Sequence, residues 1–237
     1  MNFNKACLIL MLLMNINMVY ADVENIKKYE KYNIPISVKD IIENGYYDIE
    51  IKTISNNKYF IATSENEVNK CSIFFKIENN SINPISIMGV NEPICNVTID
   101  NDKLISSWRD EGVWNESVYK IDSNREWRLL LKDSCVGCDY IKRVSINENG
   151  EFEKSLLLNN ENPYLRKKLY GTVVVDKAKL YKNENDNISN AYLIKGDMFV
   201  LTDISMNGDF FQIKYKTNTG KFIIKWIKVK DVLISEK

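Results

Sequence analysis

The 237-residue sequence predicts a mainly all-β protein built as two successive β domains. Three observations carry this. After Gly45, short runs rich in Ile, Val, Phe and Tyr alternate with clusters of Asn, Asp, Ser and Glu about every eight to twelve residues, the rhythm of strands and turns. The links between runs are short, so successive strands pair with their neighbours in an antiparallel meander, as a barrel or a sandwich. A polar stretch at residues 159–168 then interrupts the rhythm, which resumes at Thr172.

The chain opens with Lys5, an apolar run over residues 6–14 and Val19-Tyr20-Ala21. This is the pattern of a secretory signal peptide over residues 1–21, cleaved after Ala21; the run is too short to span a bilayer as a helix. A periplasmic or secreted product with no stable membrane insertion is expected. Residues 23–32 and 37–43 have helix-compatible composition, and Pro35 between them prevents one continuous helix. These are the short leading helices of a recognition domain spanning residues 22–163.

Strands are expected at residues 47–54, 58–63, 72–78, 82–88, 96–99, 103–108, 117–121, 127–132, 140–146 and 152–158. Turns fall at Asn79-Asn80, Asn101-Asp102, Ser123-Asn124 and Asn149-Gly150. A propeller is excluded, because a blade takes about forty residues and closure needs about four blades.

Four cysteines follow the leader: Cys71, Cys95, Cys135 and Cys138. An even number in an exported chain reads as two disulfides, and of the three connectivities Cys71 with Cys95 and Cys135 with Cys138 joins the nearer partners. A zinc site would need four soft ligands at a recognisable spacing, and there is one C-x-x-C and no histidine. Asp133 and Asp139 flank that C-x-x-C and disfavour a reactive thiolate. No metal or cofactor is expected.

The last third, residues 170–237, carries four patterns in order: Ala178-Lys179-Leu180-Tyr181, Ile194-Lys195-Gly196-Asp197, Phe210-Phe211-Gln212-Ile213-Lys214-Tyr215, and Trp226-Ile227 with Lys230-Asp231-Val232-Leu233. This region resembles the bacterial Src-homology-3 domain, a small β-barrel. The resemblance implies a binding domain in a bacterial envelope protein, one that takes cell-wall peptides or other proteins. Lys225 and Phe210-Phe211 depart from that family's usual Gly and Trp-Tyr. Phe211 and Ile213 are expected to alternate inward, and Trp226 to seal a barrel end. Strands are expected at residues 172–181, 197–204, 210–215 and 221–228.

The absence of histidine removes Ser-His-Asp, Cys-His and His-metal chemistry. Formal charge is zero, so no global field favours nucleic acid or an anionic membrane. Two sets of residues are candidates for binding. Asp110 and Glu111 lie beside Trp108 and Trp114, where rings could stack on a sugar or peptide next to a carboxylate; the plain alternative is a polar hairpin tip. Tyr181 and Trp226 are the candidates in the SH3-like region. Ser117 and Lys120 match S-x-x-K in letters, but in a strand they point to opposite faces. Arg166-Lys167-Lys168 reads as a solvated linker.

The expected function is a non-enzymatic exported binding protein whose partner is a protein or a peptidoglycan peptide, with no nucleic acid. One rival is an immunity or inhibitor protein that neutralises a cell-wall-targeting toxin or enzyme. The other is a carboxylate-dependent cell-wall hydrolase.

Overall fold

In a computed structural model, described residues are 29, 31–64, 68–84, 87–88, 94–100, 102–121, 126–147, 150–158, 160, 162–184 and 187–236. The leader and the turns at residues 101, 123–124 and 149 lie outside them. The protein is mainly β, with antiparallel sheets and, among the described residues, one α-helix.

The helix is α1 (Ile36–Glu43). Pro35 occupies its N-cap, and at the other end Asn44 donates its side-chain amide to Asp40 O at 2.6 Å. Gly45 then leaves the helix at φ 106°, a conformation costly for other residues. Val38 and Ile42, four apart, share one face and are fully buried, each contributing roughly 1.5–3 kcal/mol. Of the first expected helix, residues 23–28 and 30 lie outside the described set, while Tyr29, Lys31 and Tyr32 form a turn. Tyr29 donates its hydroxyl to Ile49 O at 2.8 Å.

Strands β1 (Asp48–Ile54), β2 (Asn57–Thr63), β3 (Cys71–Glu78) and β4 (Ser81–Pro84) form an antiparallel meander, with β6 (Ile94–Cys95) also on β3. Ser55-Asn56 and Asn79-Asn80 make its two tight turns, all four residues at positive φ, the backbone that matches the twist of a hairpin. Ile54 therefore faces Asn57, and Glu78 faces Ser81. In β2 the run Tyr59-Phe60-Ile61-Ala62 is buried throughout, because both faces of the sheet are covered. Phe60 and Ala62 pack with Val38, Ile42, Phe75 and Ile82; Tyr59 and Ile61 pack with Phe74, Leu104, Tyr119 and Trp127.

A second sheet has the order β12-β11-β10-β9-β8-β7: β7 (Thr98–Asp100), β8 (Lys103–Asp110), β9 (Val113–Ile121), β10 (Trp127–Val136), β11 (Tyr140–Ile146) and β12 (Phe152–Leu158). The short β5 (Ile87–Met88) lies parallel to β10. The third sheet runs β15-β14-β18-β17-β16-β13-β19: β13 (Leu169–Val173), β14 (Lys177–Tyr181), β15 (Ile188–Ile194), β16 (Met198–Ile204), β17 (Phe210–Lys216), β18 (Phe222–Lys228) and β19 (Val232–Glu236). The expected strand at 172–181 is two strands, because β13 pairs with β16 and β19 whereas β14 pairs with β15 and β18.

The chain divides into two compact units, one of residues up to Trp108 with Val118–Leu129, the other of Arg109–Ser117 with Leu130–Lys237. The polar stretch at 159–168 falls inside the second unit. The core of that unit holds Leu169, Val173, Ala178, Leu180, Leu193, Phe199, Leu201, Phe211, Ile213 and Ile227, together with Leu156 of β12. Gly171 sits where strands crowd: a Cβ there would lie 2.2 Å from the Phe199 ring and 2.7 Å from Val232 Cγ1.

A buried ion cluster fastens the 160–166 segment. Asp133 and Arg166 have wholly buried side chains. Asp133 accepts two bonds from Arg143, Nε to Oδ1 and Nη2 to Oδ2, both at 2.6 Å, and a third from Arg166 Nη1. Arg166 Nη1 also lies 2.6 Å from Glu116 Oε2, too oblique for a hydrogen bond, while its Nε donates to Asn160 O at 2.8 Å. Arg166 is thus no solvated linker residue: two carboxylates offset the cost of removing its charge from water.

Candidate binding surface

Both expected disulfides are formed, Cys71 with Cys95 and Cys135 with Cys138. The first joins residues already opposite each other on β3 and β6. The second closes the turn between β10 and β11, where Cys135 and Gly137 both have positive φ.

The candidates near residue 110 fall at a hairpin tip. Glu111 and Gly112, with φ of 46° and 85°, form the two-residue turn from β8 into β9, and Arg109 Nε donates to Gly112 O at 3.4 Å. Asp110 and Glu111 are exposed, and Trp114 is 38% exposed, but Trp108 is buried. The inward turn of Trp108 leaves Trp114 as the tip's accessible indole, so a stacking platform of two rings beside the carboxylates is not assembled.

A cleft of about 260 Å³ opens over the first sheet. Its floor is Ile61, Phe74, Val97 and Ile99, and its walls include Asp48, Lys70 and the mutually bonded hydroxyls of Thr63 and Ser72, 2.8 Å apart. Glu50 and Lys52 on the same strand form an ion pair at 2.8 Å. Asn96, at φ 44°, shapes one wall: its Oδ1 accepts from Lys70 N and its Nδ2 donates to Val68 O and Ser107 O. Sequence reasoning missed this cleft, because its walls come from positions joined only by strand register.

The other two candidates, Tyr181 and Trp226, are brought together. They are register partners across β14 and β18, and Trp226 is also opposite Gln212 of β17. Ile227 points into the core, so Trp226 next to it points outward and is half-buried. Tyr181 is buried on this outward side by Phe210, whose ring meets it edge-on at 5.1 Å. Lys228 holds its ammonium over both rings, 5.4 Å from Tyr181 and 5.5 Å from Phe210. Around them Tyr192, Ile194, Phe222 and Ile224 are each more than half exposed. Phe210 and Lys228 also line an open depression of about 480 Å³ with Gly208, Asp209, Val229 and Lys230.

Among the described residues no group of three or more His, Cys, Asp or Glu is placed to hold a metal ion, and no helix is long and apolar enough to cross a membrane. Two tyrosine hydroxyls are held above their ordinary pKa of 10.0. Burial raises Tyr59, partly offset by the indole N–H of Trp127. Burial also raises Tyr215, helped by the negative charge of Asp197, whose Oδ1 accepts a hydrogen bond from the hydroxyl at 3.4 Å. Comparison with protein-family models, curated proteins and solved structures finds no match.

Proposed function

We propose that this is an exported, non-enzymatic binding protein that recognises its partner through the outward face of the C-terminal sheet, centred on Tyr181 and Trp226. The observation that carries the reading is the exposure of Tyr192 and Ile194 on β15 and of Phe222 and Ile224 on β18, on either side of that pair. An apolar face left open to water on a folded sheet marks an interaction site, and aromatic residues are the usual anchors of such sites. Two disulfides support an oxidising compartment, hence a periplasmic or secreted protein. The order of the third sheet, with β13 beside β19, brings the two ends of the region together and supports the SH3-like reading.

The partner is a protein or a cell-wall peptide, and an inhibitor or immunity role is the narrower form of the same reading. Affinity capture from the native envelope tests it. The full chain retains a specific component, and Trp226→Ala loses it while still unfolding cooperatively. Equal retention by both proteins contradicts the reading.

A further inference from the structure

The charge that β14, β17 and β18 present on this face is one-sided, while on the neighbouring β16 Asp203, opposite Gln212, is paired with Lys142 at 2.6 Å. The core positions of the strands, Ala178, Leu180, Leu193, Phe211, Ile213 and Ile227, fix which residues alternate outward. Outward on β14 stand Lys177 and Lys179, on β17 Lys214 and Lys216, and on β18 Lys228, and no Asp or Glu takes an outward position between them on these strands. The protein as a whole is neutral, so this is a local segregation of charge.

The ammonium groups are set among the rings and do not form a separate rim. Lys177 Nζ lies 4.0 Å from the Tyr192 centroid, and Lys214 and Lys216 lie 4.9 and 6.0 Å from that of Phe222. Lys214 is also 3.7 Å from Glu153.

Resting on the proposed recognition face, we infer that its partner is an acidic polypeptide segment in extended conformation, with Asp or Glu interleaved with apolar side chains. In an extended chain, side chains on one face recur at about 6.8 Å, the spacing at which lysine and apolar positions recur along β18 and β14. Carboxylates then meet the lysines while the apolar groups cover Phe222, Ile224 and Tyr192. A lipid surface fits less well, because these rings cannot enter hydrocarbon without carrying ammonium groups with them. A single-stranded nucleic acid fits less well too, since lysine ammonium groups already lie over the exposed rings of Tyr192 and Phe222 on which bases would stack.

The test uses the oxidised full chain and fluorescence anisotropy with four probes: a labelled twelve-residue peptide with glutamate and leucine alternating at its odd positions and serine at its even ones, its lysine–leucine counterpart, a twenty-nucleotide oligothymidylate, and phosphatidylglycerol vesicles. The acidic peptide is expected to bind at least tenfold tighter than the basic one and to weaken about fivefold or more between 50 and 300 mM salt. Lys177→Glu, Lys179→Glu and Lys216→Glu combined should weaken it at least tenfold with an unchanged unfolding midpoint, and the corresponding Gln variants should lie between. Equal binding of the two peptides, tighter binding of the oligonucleotide or the vesicles, or a triple variant with wild-type affinity each overturns the inference. Envelope capture that survives the charge reversal but not Trp226→Ala would reject the acidic class and keep the recognition face; capture that survives both would reject the face itself.

Discussion

Tyr181 and Trp226 stand directly opposite each other across β14 and β18, on the side of the sheet away from the core. Ile227, one residue on, is fully buried among Leu180, Phe211 and Ile213. This parity separates folding from recognition within one dipeptide. Ile227→Ala is expected to cost about 2–5 kcal/mol, because it opens a cavity in the core. Trp226→Ala should cost less than about 2 kcal/mol and act mainly on binding. Chemical denaturation of the two variants checks this, and a Trp226→Ala loss equal to that of Ile227→Ala would return the indole to the core.

Asp133 and Arg166 form the deepest charge pair described, with Arg143 and Glu116 alongside. Removing one member leaves the other's charge buried. Asp133→Ala or Arg166→Ala is therefore expected to cost about 3–5 kcal/mol, and the double variant much less than the sum of the two. A double-mutant cycle by urea unfolding measures the coupling. Additive losses would mean that the two side chains do not depend on each other.

The Cys71–Cys95 bridge closes a far longer loop than Cys135–Cys138, with sequence separations of 24 and 3. By loop-closure entropy, replacing both members of the longer bridge with serine should cost about 3–4 kcal/mol, against about 2 for the shorter. Mass analysis of the unreduced, alkylated protein should find none of these four thiols free. Denaturation midpoints of the two paired variants give the ranking, which the account predicts in that order.

Tyr59 and Tyr215 keep their protons in the folded state to higher pH than in the unfolded chain, whose tyrosines titrate near 10.0. Above pH 10 the folded state holds more protons than the unfolded one, so stability falls as pH rises. Below pH 10 the contribution is fully present. Urea midpoints at pH 8, 9.5 and 11 should decline only over the last interval, and the decline should shrink in Tyr59→Phe. The same decline in that variant would assign the alkaline loss to other groups.

Much of the strand pattern was legible because period-two burial and turn chemistry leave local marks. Asn79-Asn80 reads as a turn since asparagine tolerates positive φ, and Phe211 and Ile213 alternate inward as expected. Cys71 with Cys95 and Cys135 with Cys138 were legible from proximity alone. Strand β15 was missed because the polar stretch before it resembles a loop, and its Ile188, Tyr192 and Ile194 remain exposed. Strand β19 was read only as part of a family pattern, since its partner Leu169–Val173 lies far back in the chain. Arg166 reads as linker because nothing local announces Asp133 and Glu116 as its neighbours. The cleft over Ile61 and Phe74, and the meeting of Tyr181 with Trp226, depend on long-range register, which residue composition does not encode.

The central claim is that recognition uses the outward face of β14, β15 and β18. Hydroxyl-radical footprinting of the full chain, with and without its captured envelope partner, tests this most directly. The account predicts protection of Tyr192, Phe222, Ile224 and Trp226, with Trp114 and the cleft residues Phe74 and Val97 unchanged. Protection confined to Trp114 at the hairpin tip, or to the cleft over the first sheet, would contradict it.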